Sequence, residues 1–110
     1  MSLTLKTLQN QQAEWSERNF PDQKPHQCLL GIVEEVGELT HAHLKSEQGI
    51  RTNENHEAMR KDAVGDIVIY LAGYCTANKL NFEECVWQAW CEVKKRDWTK
   101  EKQITKSAEE

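Results

Sequence analysis

The chain lacks any apolar run long enough to cross a bilayer. The longest, from Ile67 to Cys75, is less than half of the roughly 20 residues that a spanning helix needs. Its first residues, Met1 to Lys6, contain no apolar signal core, and the chain reads as soluble and cytoplasmic. Positive charge is not in excess: 14 basic residues stand against 18 acidic ones, a net charge of −4. That excludes a nucleic-acid-binding surface, which needs clustered Lys and Arg against phosphate backbones. The four cysteines, Cys28, Cys75, Cys85 and Cys91, form no C-x-x-C pair and no zinc-finger spacing, so they read as reduced, mostly buried thiols. There is no Gly-rich phosphate loop and no motif for a Ser/His/Asp or Cys/His nucleophile. Proline is scarce, with only 2 in 110 residues, so little interrupts long helices.

Four helices are expected. Leu3 to Asn19 carries Leu5, Leu8 and Trp15 among polar residues, a single apolar stripe that ends at the Pro21–Pro25 break. His26 to Lys45 repeats apolar residues near a 3.6 period, and Ser46 to Asn55 is a polar connector around Gly49. Glu54 to Asn78 forms the third helix. Its β-branched segment Ile67–Ala72 imitates a strand, but no partner strand exists elsewhere in the chain. Asn81 caps a fourth helix, with Glu84 at the capping-box position, running to about Trp98. Residues 1–98 form the domain, and the polar residues 99–110 read as a disordered tail. The fold class is all-α, a four-helix bundle. Its apolar faces are broad for so short a chain, which points to burial between subunits in a homodimer or homotetramer.

Against this background two acidic clusters stand out: Glu34-Glu35-Val36-Gly37-Glu38, and Asp62 with Asp66 around Ala63-Val64-Gly65. At about 100° per residue, Glu34 and Glu38 share a helix face with Glu35 on the flank, and Asp62 and Asp66 share another. Like charges one turn apart destabilise a helix, and two facing clusters do so further unless a cation sits between them. Hard divalent ions take oxygen ligands and keep positions open for water and phosphate. Gly37 and Gly65 each precede the last carboxylate of a cluster. Glycine costs roughly 1 kcal/mol in a helix interior, so the pair suggests close helix approach. The clusters therefore point to metal-dependent chemistry on a phosphate compound.

The stretch His26-Gln27-Cys28-Leu29-Leu30-Gly31-Ile32-Val33-Glu34-Glu35-Val36-Gly37-Glu38-Leu39, followed by Asp62-Ala63-Val64-Gly65-Asp66-Ile67-Val68-Ile69-Tyr70-Leu71, resembles the MazG-like nucleoside triphosphate pyrophosphohydrolases. These belong to the all-α NTP pyrophosphatase superfamily. The resemblance covers roughly residues 3 to 98, including Lys95-Arg96-Asp97-Trp98. The family pattern is E-E-x-x-E on one helix and E-x-x-D on the next. The first motif is matched in full; in the second, Ala63 occupies the Glu position, and Asp62 is the nearest replacement.

The resemblance implies hydrolysis of an NTP or dNTP to the monophosphate and pyrophosphate, clearing modified nucleotides. It implies Mg²⁺, or Mn²⁺, held by Glu35, Glu38 and Asp66 with Asp62 assisting. Glu34 is the candidate catalytic base, and Lys61, Lys94, Lys95 and Arg96 are candidates for the polyphosphate. Trp15, Phe20 and His26 are candidates for stacking on the base, with core packing the competing role for the aromatics. The alternative is a catalytically degenerate helical module that binds a nucleotide or a partner protein. Glu38-Leu39-Thr40-His41 is an E-x-x-H unit of the di-iron type, but it occurs once, and such sites need two.

Overall fold

A computed structural model describes residues 2–99, and the polar stretch from 100 to 110 lies outside the described residues. Four helices follow one another: α1 (Leu5–Asn19), α2 (Pro25–Gln48), α3 (His56–Ala77) and α4 (Phe82–Val93). There is no strand among the described residues, and Ile67–Ala72 is helical. No described helix is long and apolar enough to cross a membrane.

Local chemistry sets the ends. Thr4 and Thr7 cap α1 reciprocally: Thr4 Oγ1 accepts the Thr7 amide at 3.1 Å, and Thr7 Oγ1 accepts the Thr4 amide at 2.9 Å. Pro25 opens α2 at a position where no amide hydrogen is needed. The Gln27 side chain accepts from the Lys24 amide. Helix α2 runs three residues beyond the expected Lys45 and stops at Gly49, whose left-handed conformation (φ 67°) lets its amide turn back to Lys45 and Ser46. Asn55 Oδ1 caps α3 at Ala58 and Asn81 Oδ1 caps α4 at Glu84. The Glu84 side chain does not close a capping box; it accepts from Gln88 Nε2. Helix α4 ends at Val93 rather than near Trp98, because the chain tightens into i→i+3 bonds from Lys95 to Glu92 and from Arg96 to Val93.

Helix α3 is the centre of the fold. The backbones of α1, α2 and α4 each approach α3; α4 also meets α1, whereas α2 packs on α3 alone. The apolar cluster of Ala72, Cys75 and Phe82, joined by Leu5, Leu8, Val68 and Leu71, lies at the α3 C-terminal end. Gln9 fastens α1 there. Its Nε2 donates to the Leu80 carbonyl at 2.8 Å and its Oε1 accepts the Phe82 amide at 3.0 Å. All four cysteines are free; Cys28 and Cys75 are buried, and Cys85 is exposed.

The close approach expected at Gly37 and Gly65 is not there. An added Cβ at either position meets nothing within 4 Å. The tight contacts fall at Gly31, where a Cβ would collide with the Tyr70 ring, and at Gly73, where it would meet Gln12 and Cys28. Gly31 faces the α2–α3 seam, whereas Gly37 and Gly65 point outward. Gly31→Ala is therefore expected to displace the Tyr70 ring and lower stability by about 1–3 kcal/mol, the usual range for overpacking. Thermal melts of the variant beside wild type measure it.

Candidate functional site

The carboxylates converge where α2 crosses the N-terminal half of α3. Glu35, half-buried, points its Oε2 into protein with no hydrogen-bond partner. Burial pushes its carboxyl above the usual range, and the nearby Glu38, Asp66 and Asp62 push it further. The Asp66 carboxyl is raised in the same way, by burial first and then by Asp62 and Glu38. The four groups thus form one electrostatic unit across the two helices. Glu34 stands to one side; the Tyr70 hydroxyl is raised by burial first, then by the charges of Glu35 and Glu34.

Two clefts open from this unit. The larger, about 880 Å³, is the wedge between α1 and α2 floored by α3. Glu35 and Asp66 lie at its floor with Ile69 and Tyr70, and Trp15, Arg18, Phe20 and Gln12 line the α1 side. The rings of Trp15 and Phe20 meet edge-on, centroids 5.6 Å apart. Both are about half exposed, at 47% and 53%, so they are cleft walls rather than core. The Oε1 of Gln12 is buried there without a partner. The second cleft is a groove lined by Glu34, Gly37, Glu38, His41, Met59 and Asp62. Gly37 widens this groove by presenting no side chain. The acidic unit therefore reaches from one opening to the other.

The cations expected at the site lie elsewhere. Lys61 pairs with Glu57 at 3.0 Å, Lys95 pairs with Glu92 at 3.3 Å, and Lys94 sits 5.1 Å over the Trp87 ring. These three, with Arg96 and His26, line neither cleft. The basic residue lining the large cleft is Arg18, three residues after Trp15 on α1. The i,i+3 spacing of Trp15 and Arg18 was a signal in the sequence, since it puts ring and guanidinium on one helix face.

Ala63, in the position where the resembling family carries a metal-binding Glu, is only 1% exposed. It faces inward with Asp66 and Tyr70, while Asp62 is exposed on the flank. Among the described residues no group of three or more His, Cys, Asp or Glu stands in an arrangement that could hold a metal ion. The chemistry of the donor set still suits a hard cation. An orphaned buried carboxylate oxygen, among carboxyls raised by mutual repulsion, is a group whose charge lacks its counter-ion.

A second polar group lies at the start of α3. His41 Nε2 stands 3.2 Å from Glu54 Oε1 and 3.4 Å from Oε2, while His56 Nε2 stands 3.8 Å from Oε1. The His41 imidazole beside it holds the Glu54 carboxyl below its usual range. The His41 side chain is partly covered, whereas His43 is exposed and pairs with Glu47. Compared with protein-family models, with curated proteins and with solved structures, the chain matches none.

Proposed function

We propose that this protein is a Mg²⁺-dependent nucleoside triphosphate pyrophosphohydrolase of the MazG-like kind. The observation that carries the reading is the unpartnered Glu35 Oε2 among raised carboxyls, at the floor of a cleft whose opposite wall is Trp15, Arg18 and Phe20. A volume of about 880 Å³ falls within the range of small-molecule sites. Aromatic walls suit a nucleobase, and an acidic floor suits a phosphate chain only if cations bridge the two.

In this reading Glu35, Glu38 and Asp66 hold the metal, with Asp62 completing the set from the flank in place of a ligand at Ala63. When bound, Mg²⁺ or Mn²⁺ polarises phosphoryl oxygens and lowers the pKa of a coordinated water. The remaining work belongs to the chain. Trp15 and Phe20 offer faces to the base, and Arg18 offers a fork of donors to a phosphate oxygen. Glu34, in the groove beside Glu38 and Asp62, accepts the proton of the attacking water. That water's oxygen bonds to phosphorus as the α–β anhydride breaks, and pyrophosphate leaves.

The buried Ala63 supports a second reading, a degenerate module that binds nucleotide without turning it over. Incubating the protein with Mg²⁺ and a panel of standard and modified NTPs and dNTPs separates the two. Pyrophosphate release supports the enzyme, and binding across the panel without release establishes the module. Within the enzyme reading, Trp15→Ala is expected to raise KM about tenfold with little change in kcat. One base–aromatic stack is worth roughly 1–3 kcal/mol, and steady-state kinetics on the best substrate checks it.

A further inference from the structure

We propose that Cys75 and Cys85 form a reversible dithiol–disulfide pair, a site of modification by peroxide at the turn that joins α3 to α4. The two cysteines close this turn from either side. Near the end of α3, the Cys75 carbonyl accepts the Leu80 amide at 2.8 Å and the Asn78 amide at 3.2 Å. At the start of α4, the Asn81 carbonyl accepts the Cys85 amide at 2.9 Å. Phe82 packs with Ala72 and Cys75 in the apolar cluster. Cys85 follows Phe82 by three residues, so it shares the face of α4 that meets α3. The Cys75 and Cys85 side chains meet there in a hydrogen bond. A thiol is a weak donor and a weak acceptor, so the packing of the turn, rather than that bond, brings the sulfurs together.

The other cysteines offer neither sulfur a partner. Cys28 lies on α2 beside Gly73 of α3. Cys91 stands six residues beyond Cys85 on α4, about 9 Å along the helix axis, which is beyond disulfide reach. Burial divides the work within the pair, since Cys85 is exposed and Cys75 is buried. Burial, then the neighbouring Cys85, pushes the Cys75 thiol up, so Cys75 stays protonated and shielded while Cys85 meets the oxidant. The Cys85 thiolate attacks a peroxide oxygen, the O–O bond breaks, and hydroxide leaves with the proton that Cys85 lost, as water. Cys85 is then a sulfenic acid. Cys75 Sγ attacks the Cys85 sulfur, the S–O bond breaks, and the hydroxyl leaves with the Cys75 proton as a second water. One hydrogen peroxide thus converts two thiols to one disulfide and two waters, and an external dithiol reverses it by exchange. The bond spans the turn that holds α1, because Gln9 grips the Leu80 carbonyl and the Phe82 amide. Oxidation therefore stiffens the mount of the α1 cleft wall, and the pair does not depend on the proposed hydrolysis.

Hydrogen peroxide is the probe, added to the folded protein, followed by alkylation of the remaining thiols, digestion and peptide mass mapping. The expected product is a Cys75–Cys85 cross-link within one chain, lighter than the dithiol by two hydrogens. The oxidised protein is expected to melt several degrees higher, because the bond restricts the unfolded chain, and dithiothreitol should remove the shift. Cys85→Ser, at an exposed position, loses both the cross-link and the shift and leaves Cys75 as a free thiol. Cys91→Ser keeps both. The pairing is overturned if Cys85 proceeds to a sulfinic acid or joins a second chain while Cys75 stays free, if Cys85 pairs with Cys91, or if the cross-link forms only after unfolding in urea.

Discussion

Glu35→Gln is expected to abolish pyrophosphate release while making the metal-free protein more stable. Both effects come from the same carboxylate. As a ligand, its loss removes several kcal/mol of stabilisation from the reaction, so kcat/KM falls roughly a hundredfold or more. In the absence of metal, however, Glu35 is a partly buried charge with one orphaned oxygen, beside Glu38, Asp66 and Asp62. Neutralising it relieves burial and repulsion together, and the melting temperature in chelator is expected to rise by on the order of a few degrees. The pH dependence follows from the direction of the shifts. Glu35 and Asp66 are raised, so the folded form binds protons that the unfolded form releases. The resulting stability is complete below the ordinary carboxylate values and is lost as pH rises through the raised ones. Metal-free protein should therefore melt higher as pH falls from neutral into the mildly acidic range. Glu54, whose carboxyl is lowered, opposes this only below the ordinary glutamate value. Mg²⁺ flattens the trend, since it supplies the charge that the protons otherwise provide. Wild-type turnover in Glu35→Gln, or a lower melting temperature in chelator, would remove the acidic unit from the mechanism.

The helices were legible because their signals are local. The 3.6 period of α2 and the Asn81 cap of α4 act within a few residues, and the i,i+4 spacing brought the acidic side chains to common faces. Helix ends were less legible, since α2 is extended by the Gly49 cap and α4 is cut short by its own last turn. The facing of the two acidic clusters across α2 and α3 was legible too, but the identity of other neighbours across space was not. Gly37 and Gly65 look like contact points because they are small, but smallness does not say what lies opposite; Gly31 does the work against Tyr70. Lys61, Lys94 and Lys95 were chosen for charge, whereas each already has a partner on its own helix or in the adjoining turn. Arg18 escaped notice because α1 becomes a cleft wall only when Gln9 fastens it to the α3–α4 connector. Ala63 shows the limit in the other direction. Its place in the motif was readable, but its burial at the helix seam was not.

Val33→Glu is expected to convert an oligomer into a monomer. Helix α2 is 24 residues long and packs on α3 alone, so most of its apolar surface faces outward. Leu29, Leu30, Val33, Val36 and Leu44 are all exposed, Val33 most of all at 67%. No large side chain is fully buried among the described residues. The radius of gyration is 18.6 Å, against about 13 Å for a compact domain of this size. We propose that a second copy of the chain covers this apolar surface. A symmetric pair repeats each contact, so burying two Val33 side chains contributes about 3–6 kcal/mol at 1.5–3 kcal/mol each. Losing that raises the dimer dissociation constant roughly 10²–10⁴-fold, and an added pair of facing carboxylates raises it further. Sedimentation across a concentration series is expected to show a wild-type dimer or tetramer whose melting temperature climbs with concentration. Val33→Glu should sediment as monomer at the same concentrations, with helical content retained because position 33 makes little contact within its own chain. A wild-type protein that stays monomeric at high concentration would sink this account, and would leave the α2 face to a different partner.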